Sequence, residues 1–167
     1  MRTRLTLPLF ALLMSVMLTA CGFQLRGLYD VPDALRQVTL VSASQPSQIE
    51  PELRRALEIN RIDLTPAARY RLEITSERHT RRTATLTGNA DAAEYELRSE
   101  VRFRVIDRQQ DDRELIPERR LITERVYTND RDNITASSSQ EGLIRYQMQQ
   151  DLAQQIVRQY LSIQTAP

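Results

Sequence analysis

The chain has no lysine, no tryptophan, one histidine, one cysteine and four glycines among its 167 residues. Each shortage removes a class of chemistry. The single cysteine, Cys21, has no partner for an intramolecular disulfide and no companions for a thiolate metal site. His79 sits among Arg78, Arg81 and Arg82, and nearby sequence offers no carboxylate to orient the ring. It reads as a solvated strand residue. The glycines are not placed as a phosphate-cradling loop. No His, Cys or Asp grouping has zinc or calcium spacing, and Asp111-Asp112 and Asp130-Arg131-Asp132 read as solvated turns. With 5% aromatic residues and no tryptophan, a platform that stacks sugars or bases is not expected either. The chain therefore reads as a non-enzyme without metal.

What is present in excess is arginine, which makes up all 23 basic residues. Nucleotide bias in a GC-rich genome accounts for this. The guanidinium fork also grips phosphate in a bidentate way that an ammonium cannot, and both explanations can hold together. The 22 acidic residues nearly balance the arginines, so no strong field points to nucleic acid.

The chain opens with Arg2 and Arg4, then an apolar run over 5–18 that is too short to span a bilayer comfortably. Leu18-Thr19-Ala20-Cys21 closes it. A basic start, an apolar run, two small residues and a cysteine form a bacterial lipoprotein signal. The thiol can take a diacylglyceryl group as a thioether, Thr19 and Ala20 leave room for a peptidase, and the new amine of Cys21 can be acylated. An ordinary secreted protein with a free thiol, or an uncleaved anchor, is the competing account. The expected organisation is a removed signal peptide over 1–20, a lipidated tether over 21–35, one α+β periplasmic domain over 36–163 and a tail over 164–167. The diacylglyceryl and N-acyl groups on Cys21 are the only attached groups expected; no cofactor is. In enteric-type bacteria an aspartate after the cysteine tends to retain a lipoprotein in the inner membrane. Gly22 stands there instead, which points to the outer membrane, with the domain facing the periplasm.

Residues 37–41 read as a short strand. Ser47 and Glu50 have capping-box spacing ahead of a three-turn helix carrying Ile49, Leu53, Ala56 and Leu57, with Pro51 a competing start and Asn60 a left-handed stop. Tyr70, Leu72 and Ile74 alternate with charged residues as a half-buried strand. That even-numbered face then carries Ser76, Arg78, Thr80 and Arg82 before Ala84 and Leu86, so either the strand outruns its cover or a bulge shifts its register. The clearest strand holds Tyr95, Leu97, Val101, Phe103 and Val105, and another runs over roughly 119–127. Polar turns are expected at 87–90, 107–112 and 129–133. The last element is a long helix with Leu143, Ile144, Met148, Leu152, Ile156, Tyr160 and Leu161 on one stripe. The order β-α-β-β-β-α predicts two helices packed on one face of a four-stranded mixed, mostly antiparallel sheet, with the first strand able to pair in parallel.

Three segments resemble the lipopolysaccharide-assembly lipoprotein family LptE. They are Cys21-Gly22-Phe23-Gln24-Leu25-Arg26, then Ala93-Glu94-Tyr95-Glu96-Leu97, and the entry to the last helix through Tyr127, Ala136, Glu141-Gly142-Leu143, Met148, Asp151-Leu152-Ala153 and Ile156. With the lipobox and the element order they cover nearly all of the chain after Ala20. The resemblance implies two helices on a four-stranded sheet, in agreement with the pattern. It implies a lipoprotein seated in the lumen of the outer-membrane β-barrel LptD, where it acts as a plug, helps the barrel fold and assists lipopolysaccharide to the cell surface. Family members carry basic residues before the Ala-Glu-Tyr motif and ahead of the last helix; here those places hold Thr87-Gly88-Asn89 and Ala136-Ser137-Ser138-Ser139. Any contact with lipid phosphates then falls to other arginines. The candidates are Arg78, Arg81 and Arg82, with Arg102 and Arg104 on the neighbouring strand; the plainer account of them is a strand edge kept soluble by charge. A stand-alone lipopolysaccharide-binding lipoprotein without a barrel partner is the alternative function.

Overall fold

The computed structural model describes residues 31–44, 46–86, 88, 92–130 and 133–163. The expected signal peptide, the acylated Cys21, most of the tether, most of the 87–93 loop and the tail lie outside the described residues.

A 3-10 turn, Asp33–Leu35, leads into strand β1 (Gln37–Ser42) and helix α1 (Glu50–Ile59). A two-residue strand β2 (Asp63–Leu64) precedes three long strands, β3 (Tyr70–Leu86), β4 (Ala92–Asp107) and β5 (Arg113–Thr128), and helix α2 (Ile134–Leu161) ends the fold. The sheet order is β2-β1-β3-β4-β5. β1 pairs in parallel with β3 (Val38 opposite Tyr70) because α1 carries the chain back to the starting edge, while β3, β4 and β5 pair in sequence order as an antiparallel meander. The sheet has five strands, not the four expected. The extra one is β2, in which Asp63 and Leu64 pair in parallel with Gln37 and Val38, and two residues carry no periodic signal.

Both readings of the mixed face on β3 hold together. The register shifts between Ile74 and Ser76, leaving Thr75 as the extra residue. Before that bulge Tyr70, Leu72 and Ile74 are buried; after it the odd-numbered Glu77 and His79 turn toward the helices while Arg78, Thr80 and Arg82 face out. Beyond this point the strand also outruns the helices, and residues 80–86 are exposed.

The core lies between the proximal half of the sheet and both helices. Leu53 and Leu57 of α1 and Leu152, Ile156 and Tyr160 of α2 close over Leu72, Ile74, Phe103 and Val105, all essentially inaccessible. Core packing reaches back past the expected start at residue 36, since Val31 and Leu35 belong to it. The Tyr160 hydroxyl donates to the carbonyl oxygens of Leu35 (3.0 Å) and Gln37 (3.3 Å), and its burial, with Tyr70 near, raises its pKa. A second, smaller cluster of Leu97, Tyr127 and Met148 sits further along the sheet, with Tyr95 and Ile144 against it.

Several local expectations are corrected. The stop of α1 is not a left-handed Asn60, whose φ is −86°; its side chain instead donates to the Ala56 carbonyl at 2.7 Å, and Arg61 takes the left-handed conformation at φ 58°. β5 begins at Arg113 rather than near 119, because the strand continues through a bulge around the exposed Pro117. Residues 134–140, poor in apolar side chains, are the first turns of α2, capped by the Asn133 side chain, which accepts from the Ala136 amide at 3.1 Å. At the β4–β5 turn, Arg69 clasps the buried Asp107 with both Nε and Nη2 (3.0 and 2.7 Å to Oδ2). That pairing, against the opposing burial, holds the Asp107 carboxyl below its usual range.

Candidate functional site

Strand alternation sends one set of side chains under the helices and the other to an uncovered face. On that open face the arginines and glutamates of β3, β4 and β5 interlock across the strands. Arg82 makes a bidentate pair with Glu96 (2.7 and 2.8 Å). Arg104 bridges Glu73 (2.6 Å) and Glu114 (3.2 Å), and Arg98 meets Glu124 (2.6 Å). Glu100 is the hub: Arg120 lies at 2.6 Å, Arg102 at 3.5 Å and Arg98 at 3.8 Å. The Arg120 contact, against some desolvation and with Arg102 assisting, keeps the Glu100 carboxyl below its normal range. Arg78 stands opposite Glu100 in the register, is exposed, and has no ion pair among the described residues. Ser76, Glu77, Arg78, Glu100, Arg102 and Arg120 line a shallow polar recess of about 440 Å³.

Of the five arginines picked from sequence, the structure brings Arg78, Arg82, Arg102 and Arg104 onto this face and sends Arg81 to the other. The bulge at Thr75 sets that division, since it makes the odd positions from Glu77 to Thr83 face the helices. There Arg81 donates to Glu141 of α2 at 2.9 Å and stacks 4.4 Å over the Tyr95 ring. Glu141 also accepts from Tyr127 (2.5 Å) and Arg145 (2.8 Å). Partial burial works against its charge, but these three donors prevail and pull its pKa down to about 2. The sequence reading missed Arg98 and Arg120. The parity of β4 was the signal for Arg98, which shares its face with Arg102 and Arg104; Arg120 needed the β4–β5 register.

His79 also differs from expectation. It is not solvated: its Nδ1 lies 3.0 Å from the buried Ser99 hydroxyl and its Nε2 3.5 Å from Glu77. The carboxylate thought missing is two residues away, on the same face of the strand. Glu77 itself accepts from the Gln48 (3.0 Å) and Ile49 (3.3 Å) amides and from the Ser47 hydroxyl, closing the start of α1. Burial opposes its charge, yet the hydrogen bonds from His79, Ser47 and the two amides hold its pKa below the ordinary glutamate value. Serine, histidine and glutamate in line suggest a nucleophile with its base. Here the serine is buried and the carboxylate is committed to a helix start, so the arrangement ties α1 to β3. Among the described residues no cluster of His, Cys, Asp or Glu could hold a metal ion, and no helix is long and apolar enough to cross a membrane.

The model of the lipopolysaccharide-assembly family LptE matches residues 35–160, which is most of the chain and both faces just described. The chain belongs to the LptE family. The resemblance noted in three sequence segments is thereby borne out. The LPS-assembly lipoprotein LptE of Yersinia pestis (strain Pestoides F) is 28% identical over 171 residues, covering 99% of this chain and 80% of that protein. Among solved structures, a minor lipoprotein from Acinetobacter baumannii superposes with a TM-score of 0.64 at 25% identity, over 80% of this chain and 98% of its own. Rare lipoprotein B from Shewanella oneidensis gives a TM-score of 0.65 at 24% identity, over 75% of this chain and 94% of its own, a likeness of fold. In this chain two helices lie on one side of the sheet and the charged face is left open.

Proposed function

We propose that this protein serves lipopolysaccharide assembly as a lipoprotein held at the outer membrane through Cys21, and that its folded body plugs and helps assemble the LptD β-barrel. Family membership and the likeness to the Yersinia LPS-assembly lipoprotein support the role. The observation that carries the plug reading is the open face itself, where nearly every guanidinium is closed against a glutamate of a neighbouring strand. A barrel lumen is polar and wet. A surface whose charges are already paired can enter it without stranding a lone ion, because a charge enclosed without its partner costs more than a closed pair. No large apolar patch is then needed for the fit. The test is detergent extraction of the native lipoprotein followed by affinity capture. A large outer-membrane barrel should copurify in fixed ratio, and a lipoprotein recovered alone under gentle conditions sinks the reading.

Direct contact with lipopolysaccharide is the second reading, and Arg78 favours it. Among the described residues it is the one candidate arginine without a carboxylate, beside Arg102 and Arg120 at the polar recess. A phosphate there gains charge-assisted hydrogen bonds from guanidinium forks. Arg78→Ala, which breaks none of the ion pairs described above, should weaken lipopolysaccharide binding and leave barrel association intact. Unchanged binding removes this face from consideration. Binding that persists with no barrel partner returns the stand-alone alternative.

A further inference from the structure

The sheet ends on one side at β5, and the two halves of that edge are guarded very differently. Over 113–119 the ladder to β4 is irregular: the register slips between Phe103 and Val105 and again before Ile106, and Pro117 lies in the slipped segment. Bulges and proline are the usual devices that stop another strand from adding to an edge. Over 120–128 those devices are missing. The register runs without a break from Arg102 opposite Arg120 to Glu94 opposite Thr128. Every second backbone amide and carbonyl of an antiparallel edge strand points away from its one neighbour. Apart from the Arg125 side chain on the Glu124 carbonyl (3.2 Å), no hydrogen bond meets this outer edge among the described residues.

The side chains of the same stretch agree. Leu121, Ile122, Thr123, Val126 and Tyr127 are strand formers, and Ile122 and Val126 stand exposed on the open face at 38% and 54%. The charges that would guard an edge are spent internally: Arg120 on Glu100, Glu124 on Arg98, and Arg125 on Asp151 of α2. An arriving strand therefore meets no unpaired charge, and its complement is an uncharged one.

We infer that residues 120–128 of β5 form an interaction surface that accepts an extended strand from a protein partner, through backbone hydrogen bonds and apolar contacts at Ile122 and Val126. This is strand addition, in which the ladder gives affinity and alternate side chains give choice. The stretch is roughly 30 Å long at the usual rise of a strand. Two copies paired along it alone would bury well under the roughly 800 Å² per partner of a stable interface. The occupant is accordingly a strand of a larger protein whose other contacts supply the rest. The inference rests on the preceding reading only in that a protein partner is present at the membrane.

The experiment compares hydrogen–deuterium exchange of the lipoprotein left in native outer-membrane fragments with that of the lipoprotein purified alone in detergent, read at single-residue resolution. In the fragments every second amide over 120–128 should exchange at least about ten-fold more slowly, with 113–119 unchanged. Equal exchange in the two states overturns the inference even where a barrel copurifies, which separates its failure from that of the plug reading. Slowing of all amides alike overturns it too, since that is shielding without a ladder. Slowing that rises with lipoprotein concentration in the purified sample assigns the edge to a second copy and also overturns it. Val126→Asp, at a position 54% exposed, should abolish the alternating protection while the purified variant keeps the wild-type exchange over 113–119.

Discussion

The three long strands of this protein lead two lives along their length. Near β1 they are roofed by both helices, and Leu72, Ile74, Phe103 and Val105 are packed out of reach of water. Further out, α2 alone covers them with the small cluster of Leu97, Tyr127 and Met148, and polar contacts take over: Arg81, Tyr127 and Arg145 on Glu141, and Arg82 on Glu96. The difference teaches what each half can do. Apolar burial contributes in proportion to area removed from water, and exposed ion pairs contribute little each. The proximal half fixes the fold. The distal half keeps a long sheet soluble and leaves a charged face and a bare edge open to a partner.

The comparison can be broken most severely at Phe103. Phe103→Ala opens a cavity in the proximal core and should cost about 3–5 kcal/mol, read as a lower denaturant midpoint for the whole domain. Met148→Ala strikes the distal cluster and should cost about 2–4 kcal/mol. Its mark should be local, with faster amide exchange in the first half of α2 and little change in β1 and proximal β3. Glu141→Gln should cost about 1–3 kcal/mol, because Arg81 and Arg145 lose their shared acceptor charge. It also carries a pH signature. The folded Glu141 carboxyl titrates at about 2, below the usual 4.5, so its contribution is whole above the unfolded value and fades as pH falls toward about 2. Wild-type stability should therefore decline across that window, and the variant should decline less. Smallest of all, Arg82→Ala removes an exposed pair with Glu96 and should leave the melting midpoint unchanged within error. A large drop there would erase the distinction between the two halves.

Much of the fold is legible in the residues. The alternation of Tyr95 through Val105, the stripe of Leu152, Ile156 and Tyr160, and the element order gave two helices on one face of a mixed sheet, since burial on one face imprints its own period. β2 escaped because a two-residue pairing imprints nothing. At the candidate site, four of the five chosen arginines do share a face. Arg81 does not, because a single extra residue at Thr75 reverses the side chains from Ser76 to Thr83, and the sequence allowed a bulge without placing it. His79 differs from its expectation for a related reason: its carboxylate partner, Glu77, is held beside it by the start of α1, a contact between distant elements.

By itself the sequence determined the lipobox, the balance of charge, the periods of the strands and helices and the family pattern, all of which depend on neighbours along the chain. Only the tertiary structure decided which arginines meet which glutamates, that Glu77 closes a helix from another element, and that one edge of the sheet is guarded over half its length. Those depend on the register between strands, and register is a matter of one residue's slip, which local sequence does not fix.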